Sequence, residues 1–318
     1  MTRRSSIPVW AALLGSGLAG MLVAVQTRLN GGLSQAIHDP YLTAAISFLL
    51  GLSIITIVML ATARGRRGIT RLRGELKGGR LPWWALTGGA FGAFFVLGQG
   101  LIATVIGLAL FTVGVVAGQV LGGLVIDRIG LGPGGRVDPT VQRLVGTALA
   151  IVAVVASVFA DLTGEQGHGM QIWLVLVPIL AGLGTAWQFA VNGLVRAAAQ
   201  SAVTSTFVSF LVGTVLLLIA AAVSVGRAGW PTTWPSEPWL YVGGIIGTLF
   251  IALAAMLVRA AGVLLLSMSN VAGQLVASVA LEAGLPLAGG VHAGLLAGAA
   301  IALLAVTVAA LPSRGSAE

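Results

Sequence analysis

The sequence predicts an all-α integral membrane protein of about ten transmembrane helices, built as two tandem five-helix repeats of opposite orientation. Three observations predict this. The 318 residues are 57% hydrophobic and 8% charged, with a mean hydropathy of +1.02, whereas an ordinary soluble domain is about 25% charged. Apolar runs of about twenty residues, the length of a membrane span, follow one another along the whole chain. Blocks of sequence also recur at an offset of about 160 residues, the mark of a duplicated unit.

Apolar runs and their breakers place the first five helices at Pro8 to Leu29, Tyr41 to Ala63, Pro82 to Leu101, Thr104 to Ile126 and Pro139 to Ala160. The second five run at Gln171 to Ala198, Ala202 to Val225, Pro238 to Val258, Gly262 to Leu281 and Val291 to Leu311. The domains are then residues 1–160 and 171–318, joined by an acidic linker over 161–170. Thr2-Arg3-Arg4 before an apolar stretch resembles a secretory leader, but nine further spans read it as the first helix. Pro8 suits a first helical turn, where its missing N–H would be unpaired anyway.

Glycine, at 46 residues, is costly in a soluble helix and useful in a membrane, where it lets backbones approach. Ser16 with Gly20, Gly88 with Gly92, Gly118 with Gly122, Gly243 with Gly247 and Gly294 with Gly298 are spaced for tight helix crossings.

The net charge of +8 does not point to nucleic acid, because the basic residues sit in short connections between apolar runs. Of the 17 Lys and Arg, only Arg28 and Arg227 fall on one side of the ten spans. The other side holds both termini and the cluster Arg64, Arg66, Arg67, Arg71, Arg73, Lys77 and Arg80. By the positive-inside rule both termini are cytoplasmic, in a multi-pass protein of a prokaryotic plasma (inner) membrane. Trp10, Trp83, Trp84, Trp173, Trp230, Trp234 and Trp239 lie near helix ends, as an interfacial aromatic belt requires. Trp187 reads either as an eighth belt residue or as a solute contact.

Within the repeat, Gln26 and Asn30 answer to Gln188 and Asn192, and Ser47-Phe48-x-x-Gly51 to Ser209-Phe210-x-x-Gly213. Gly88-Gly89 and Gly92 answer to Gly243-Gly244 and Gly247, Gly118-Gln119 to Gly273-Gln274, and Asp127 to Glu282. Five spans per repeat is odd, so the second copy enters the membrane inverted, the arrangement that supports alternating access.

The candidate solute contacts are the buried amides. The Q-x-x-x-N spacing puts Gln26 with Asn30, and Gln188 with Asn192, on one face of the helix each pair closes. Gln119 and Gln274 occupy equivalent places inside apolar runs, and Asn270 stands one turn before Gln274. The same amides also serve as helix glue, each worth about 0.6 kcal/mol. Ser47 and Ser209 read as packing residues. Asp127 and Glu282 close the fourth helix of each half, where the helix dipole opposes an acid, and are the candidates for ion coupling. Arg128 is placed to pair with Asp127. The first helix carries no carboxylate, which speaks against simple proton/drug exchange.

No cofactor or metal is expected. With no Cys, thiolate catalysis, disulfides and cysteine-bound metals are excluded, and His38, His168 and His292 are isolated. Two G-x-G-x-x-G matches, at Gly15, Gly17, Gly20 and at Gly130, Gly132, Gly135, follow no strand and make no dinucleotide site, although Asp39 stands at a tempting distance from the first.

The blocks Q-x-x-x-N, S-F-x-x-G and G-Q followed by an acid, with Arg143-Leu144-Val145-Gly146 opening the fifth helix, resemble the YdcZ-like family of inner-membrane exporters, within the drug/metabolite transporter superfamily. Each half is similar to one family member, the first half more so. The second half departs by Glu282 in place of Asp127 and by Gly294-Leu295-Leu296-Ala297-Gly298 where a basic opening is expected. The resemblance implies a drug/metabolite transporter (EamA-like) fold and a secondary carrier, exporting a small metabolite or drug-like solute bound between the halves. A passive channel would need a wider polar lining, and a membrane-embedded enzyme would need a nucleophile or metal constellation that the sequence lacks. The expected partners are the bilayer and a small solute, with a homodimer left open.

Overall fold

The computed structural model describes residues 7–163, 172–287 and 293–311. Arg3, Arg4, Arg314, His168, His292 and most of the linker therefore lie outside the described residues. Eleven helices are labelled in chain order: α1 Val9–Ile37, α2 Pro40–Ala61, α3 Ala63–Lys77, α4 Gly88–Leu101, α5 Ala103–Ile106, α6 Leu108–Ile129, α7 Val141–Thr163, α8 Leu176–Ala199, α9 Ala202–Ala228, α10 Gly243–Gly284 and α11 Ala293–Ala310. Short 3-10 turns lead into α4, α8 and α10, and no strand occurs among the described residues.

Among the described residues, seven helical stretches are long and apolar enough to cross a membrane. One of them, Pro238–Gly284, has 47 residues, about twice what a bilayer core of about 30 Å needs at 1.5 Å per residue. It is broken inside α10 at Gly262, with φ 77° and ψ 171°. Gly107, between α5 and α6, has φ 82° and ψ 153°. Both lie in a backbone region that a Cβ disfavours; Gly262 sits at the boundary between two expected spans, and Gly107 lies three residues inside the span expected to start at Thr104.

Helix ends follow local chemistry. The Asp39 side chain accepts from the Leu42 N–H at 2.9 Å and caps α2, with Pro40 in the first turn. Ser201 caps α9 in the same way, accepting from the Thr204 N–H at 3.2 Å. The residues just before these caps, His38 and Gln200, both take left-handed conformations. Inside the spans, Thr27, Thr112, Thr185 and Thr248 donate to carbonyls one turn back at 2.7 to 2.9 Å, which satisfies each hydroxyl without water.

Two sequence expectations are corrected here. The segment after α2 is not an irregular connector: Arg64 to Lys77 lie within α3, an amphipathic helix whose charged residues have no hydrophobic run to reveal it. Helix α1 does not stop at Leu29 but continues to Ile37, so the Gln26 and Asn30 pair lies within the helix rather than at its end. Asp39, which the sequence assigns to no dinucleotide site, caps α2.

The halves interlock. A Cβ at Gly88 would stand 2.5 Å from Asn192 Oδ1, and one at Gly92 2.5 Å from Gln188 Nε2. A Cβ at Gly243 would collide with Asn30 Oδ1, and one at Gly247 would stand 2.8 Å from Gln26 Nε2. Gly89 lies on the Ser209 carbonyl and Gly244 on the Ser47 carbonyl. Gly182 meets the Val115 carbonyl in α6, and Gly20 meets the Asn270 carbonyl in α10. In each pair the second contact repeats the first with the roles of the halves exchanged. Phe48 and Phe210, themselves counterparts, stack on each other with centroids 4.9 Å apart.

The main core joins side chains of α1, α2, α4, α6, α8, α9 and α10, among them Phe48, Phe111, Phe189 and Phe210. A second cluster packs α7 and α11 against α6 and α10. Elsewhere large apolar side chains such as Ile57, Val155 and Ile219 are 59 to 67% exposed, the outward face of helices solvated by lipid.

Gly262→Ala should lower thermal stability by about 1–3 kcal/mol through its forbidden backbone angles. Gly134→Ala, where nothing lies within 4 Å of the added methyl, should leave it within about 0.5 kcal/mol. Unfolding of the purified protein in mixed micelles compares the two.

Candidate functional site

The amides expected from the sequence are all buried, but they fall into separate clusters. In the first, Asn30 (1% exposed) donates through Nδ2 to Gln99 Oε1 at 2.7 Å. Gln99 Nε2 donates in turn to Thr27 Oγ1 at 2.9 Å, so α1 and α4 are tied side chain to side chain. Gln26 lies one turn earlier on α1, against Gly247. Gln99 was not among the sequence candidates. Its counterpart in the second half is Ala254, so a search for repeated polar residues passes over it, although a glutamine inside an apolar span was a signal in its own right.

The second cluster satisfies the same motif with different partners. Gln188 Nε2 and Asn192 Nδ2 both donate to Ser209 Oγ, at 3.1 and 3.4 Å, and Ser205 Oγ donates to the Asn192 carbonyl at 2.6 Å. Ser209 is thus a hydrogen-bonding hub on α9 and more than a packing residue.

Gln274 and Asn270 form the third cluster on α10. Gln274 Nε2 donates to Asn270 Oδ1 one turn away, and Asn270 Nδ2 donates to the Ser16 carbonyl at 3.4 Å. Ser16 Oγ closes the crossing by donating to the Leu266 carbonyl at 2.8 Å.

Gln119 stands alone. It is fully buried in α6, and neither Nε2 nor Oε1 meets a hydrogen-bond partner among the described residues. Its counterpart Gln274 has Asn270 one turn away, whereas the residue in the same place on α6 is Val115, which offers nothing. A buried amide left in this state costs about 1–3 kcal/mol.

Trp187 lies apart from the amide clusters. It is half-buried and donates through Nε1 to Thr87 Oγ1 at 3.0 Å. Its ring packs 5.7 Å from Trp84 and 6.2 Å from Phe91 between centroids. With Phe94, Leu180 and Leu183 it lines an apolar pocket of about 520 Å³ between α4 and α8.

The expected pairing of Arg128 with Asp127 does not occur. Arg128 pairs with Asp138, because the chain turns at Gly130 and brings the following loop back beneath α6. Asp127 instead accepts from the N–H groups of Val263 and Leu264 at 3.0 and 3.1 Å. It thereby caps the segment of α10 that starts anew after Gly262, with Arg143 of α7 at 3.8 Å. An acid disfavoured by the dipole of its own helix is thus favoured by the N-terminal dipole of another. Glu282 is equally buried, at 2% exposure, near the end of α10. Among the described residues no three His, Asp or Glu are grouped to hold a metal ion.

A family model described as "Putative inner membrane exporter, YdcZ" matches residues 11–156 and again 173–311, nearly the whole chain in two segments. The chain belongs to this family. The YdcZ family is one of membrane exporters, which places the protein in the inner membrane and agrees with the long apolar helices. A solved structure described only as "Crystal structure of protein" is 18% identical, over 97% of this chain and 98% of that one, with a TM-score of 0.63. At that identity the likeness speaks to the fold alone. No curated protein matches the chain.

Asp127→Asn keeps an acceptor for one N–H but removes the charge facing Arg143. It should cost about 1–2 kcal/mol of stability, and Asp127→Ala more. Unfolding midpoints of the two variants against the parent measure this.

Proposed function

We propose that this YdcZ-family protein is a secondary transporter, most simply an exporter, that carries a small metabolite or drug-like solute by alternating access between two inverted repeats, residues 1–160 and 171–318. Ten spans follow if α10 is read as two spans meeting at Gly262 and α7 and α11 as one each. Both termini are then cytoplasmic and the 161–170 linker lies outside.

The observation that carries this reading is the exchange of contacts between halves: Gly88 with Asn192 against Gly243 with Asn30, and Gly89 with Ser209 against Gly244 with Ser47. Two bundles joined by mutually equivalent contacts can rock about one interface in either direction at similar energetic cost. That is what a carrier open first to one side and then to the other requires.

Gln119 is the amide we assign first to the solute. Both amide atoms of Gln119 are buried and unbonded among the described residues, and a hydrogen-bonding solute would offset the penalty that Gln119 otherwise carries. Gln26, Asn30, Gln188, Asn192, Asn270 and Gln274 then border the path, exchanging their present bonds as the halves move. Trp187 faces the apolar pocket, where an apolar part of a solute fits. Glu282 and Asp127 are the groups through which a coupled ion would act, at opposite ends of the molecule.

Two measurements test the reading. Since the chain has no Cys, single cysteines can be placed on an unlabelled background. Gly74→Cys should be protected from an impermeant maleimide in intact cells and Ser236→Cys should react; labelling of both from the same side would end the inverted arrangement. In proteoliposomes, the parent should show saturable counterflow of a solute from a broad metabolite panel. Gln119→Leu should abolish that flux while unfolding at an equal or higher temperature, by about 1–3 kcal/mol. Intact flux in a destabilised Gln119→Leu protein would make Gln119 structural.

A further inference from the structure

Helix α3 takes no part in the transport path proposed above, and its chemistry points elsewhere. Thr62 alone separates it from α2, and the Thr62 side chain caps it by accepting from the Gly65 N–H at 3.2 Å. It therefore begins where α2 leaves the membrane. Gly65, Gly68 and Leu72 form its buried face. Gly68 rests on Ser201 and Thr204, Thr204 Oγ1 donates to the Gly65 carbonyl at 3.3 Å, and Leu72 packs among Val195, Ala199 and Ala85. The helix is thus fastened across the junction of α8 and α9.

Arg64, Arg66, Arg67, Arg71, Arg73 and Lys77 are all exposed, and none of them forms an ion pair among the described residues. The acid of this helix, Glu75, is engaged by Arg80 at 2.7 and 2.9 Å. That hydrogen bond holds its carboxyl below the ordinary range, so it stays ionised and committed to Arg80. Six cations on about four helical turns repel one another unless anions stand between them.

Helical spacing divides the six into two stripes. Arg64, Arg67 and Arg71 follow one flank, and Arg66, Arg73 and Lys77 the other. The Arg66 guanidinium reaches back to donate to the carbonyl of Leu60, whose side chain is 58% exposed on an apolar span and so faces lipid. Trp83, just past α3 and 76% exposed, has the amphipathic ring suited to headgroup depth. The second stripe therefore lies over the lipid-facing side of α2, level with phosphate groups.

We propose that Arg66, Arg73 and Lys77 form a binding surface for the phosphate groups of anionic phospholipids in the leaflet beneath α3, which anchors the junction of α8 and α9. The claim needs only that the protein lies in the inner membrane; it stands or falls separately from alternating access.

Purified full-length protein in neutral detergent, equilibrated with phosphatidylglycerol or phosphatidylcholine and read by native mass spectrometry, tests it. The parent should retain phosphatidylglycerol in preference to phosphatidylcholine. Arg73→Gln with Lys77→Gln, both exposed, should weaken phosphatidylglycerol binding by about 25-fold, about fivefold for each basic residue removed. Arg64→Gln with Arg67→Gln and Arg71→Gln, which removes more charge from the other flank, should change it by less than about twofold. Equal retention of the two lipids by the parent overturns the proposal, as does an equal or larger loss in the second variant. Displacement of phosphatidylglycerol by millimolar inorganic phosphate would reassign the surface to a free anion, and displacement by a short RNA to nucleic acid; either overturns it.

Discussion

The close approach of glycine backbone to the amides and carbonyls of a facing helix is the contact on which the rest of this structure depends. In a bilayer, helices gain nothing from burying apolar side chains against each other that lipid would not also give them, so association relies on dense packing and on polar groups finding each other. Gly88, Gly92, Gly243 and Gly247 supply the room, and Asn192, Gln188, Asn30 and Gln26 fill it. The glycine of each contact belongs to one half and the amide to the other, while the hydrogen bonds of Asn30, Gln188 and Asn192 are made within their own halves. The same contacts that hold the halves together therefore place the amides inside the molecule.

Much of this was legible in the sequence, and what was not has identifiable causes. Apolar run length marked the long apolar helices, and the boundary drawn at Gly262 coincides with the break in α10. Identity across the repeat marked Gln26, Asn30, Gln119 and their counterparts. It could not mark Gln99, whose counterpart is Ala254. Nor could it reveal that His38 and Gln200 adopt the same left-handed turn, since neither is glycine and the two side chains share no chemistry. Helix α3 was hidden because a run of arginines reads as a topology signal; its amphipathic character rests on Gly65, Gly68 and Leu72, and two of those three have no side chain to show a pattern. Asp127 was noticed as misplaced on its own helix. Its reason lies on another helix 136 residues away, beyond any local reading.

The halves carry unlike side chains at corresponding places. Thr27, Phe95 and Gln99 answer to Phe189, Phe250 and Ala254. Gln99 is held by directional hydrogen bonds with Asn30 and Thr27, whereas Phe189 and Phe250 meet edge to face with centroids 5.8 Å apart. Aromatic edges slide with little loss, while a two-bond amide network holds one geometry and releases it only when both bonds give way. Corresponding places in the two halves therefore differ in stiffness.

The cap that Asp127 places on α10 has a mechanical consequence. Beyond Gly262 the chain resumes as a helix whose first two free N–H groups are held by a carboxylate belonging to α6. Swinging that segment about the glycine while α6 stays still would strip both bonds and leave the buried carboxylate with Arg143, 3.8 Å away, as its remaining partner. The two bonds therefore fasten the resumed helix to α6, with the clamp only one residue past the glycine.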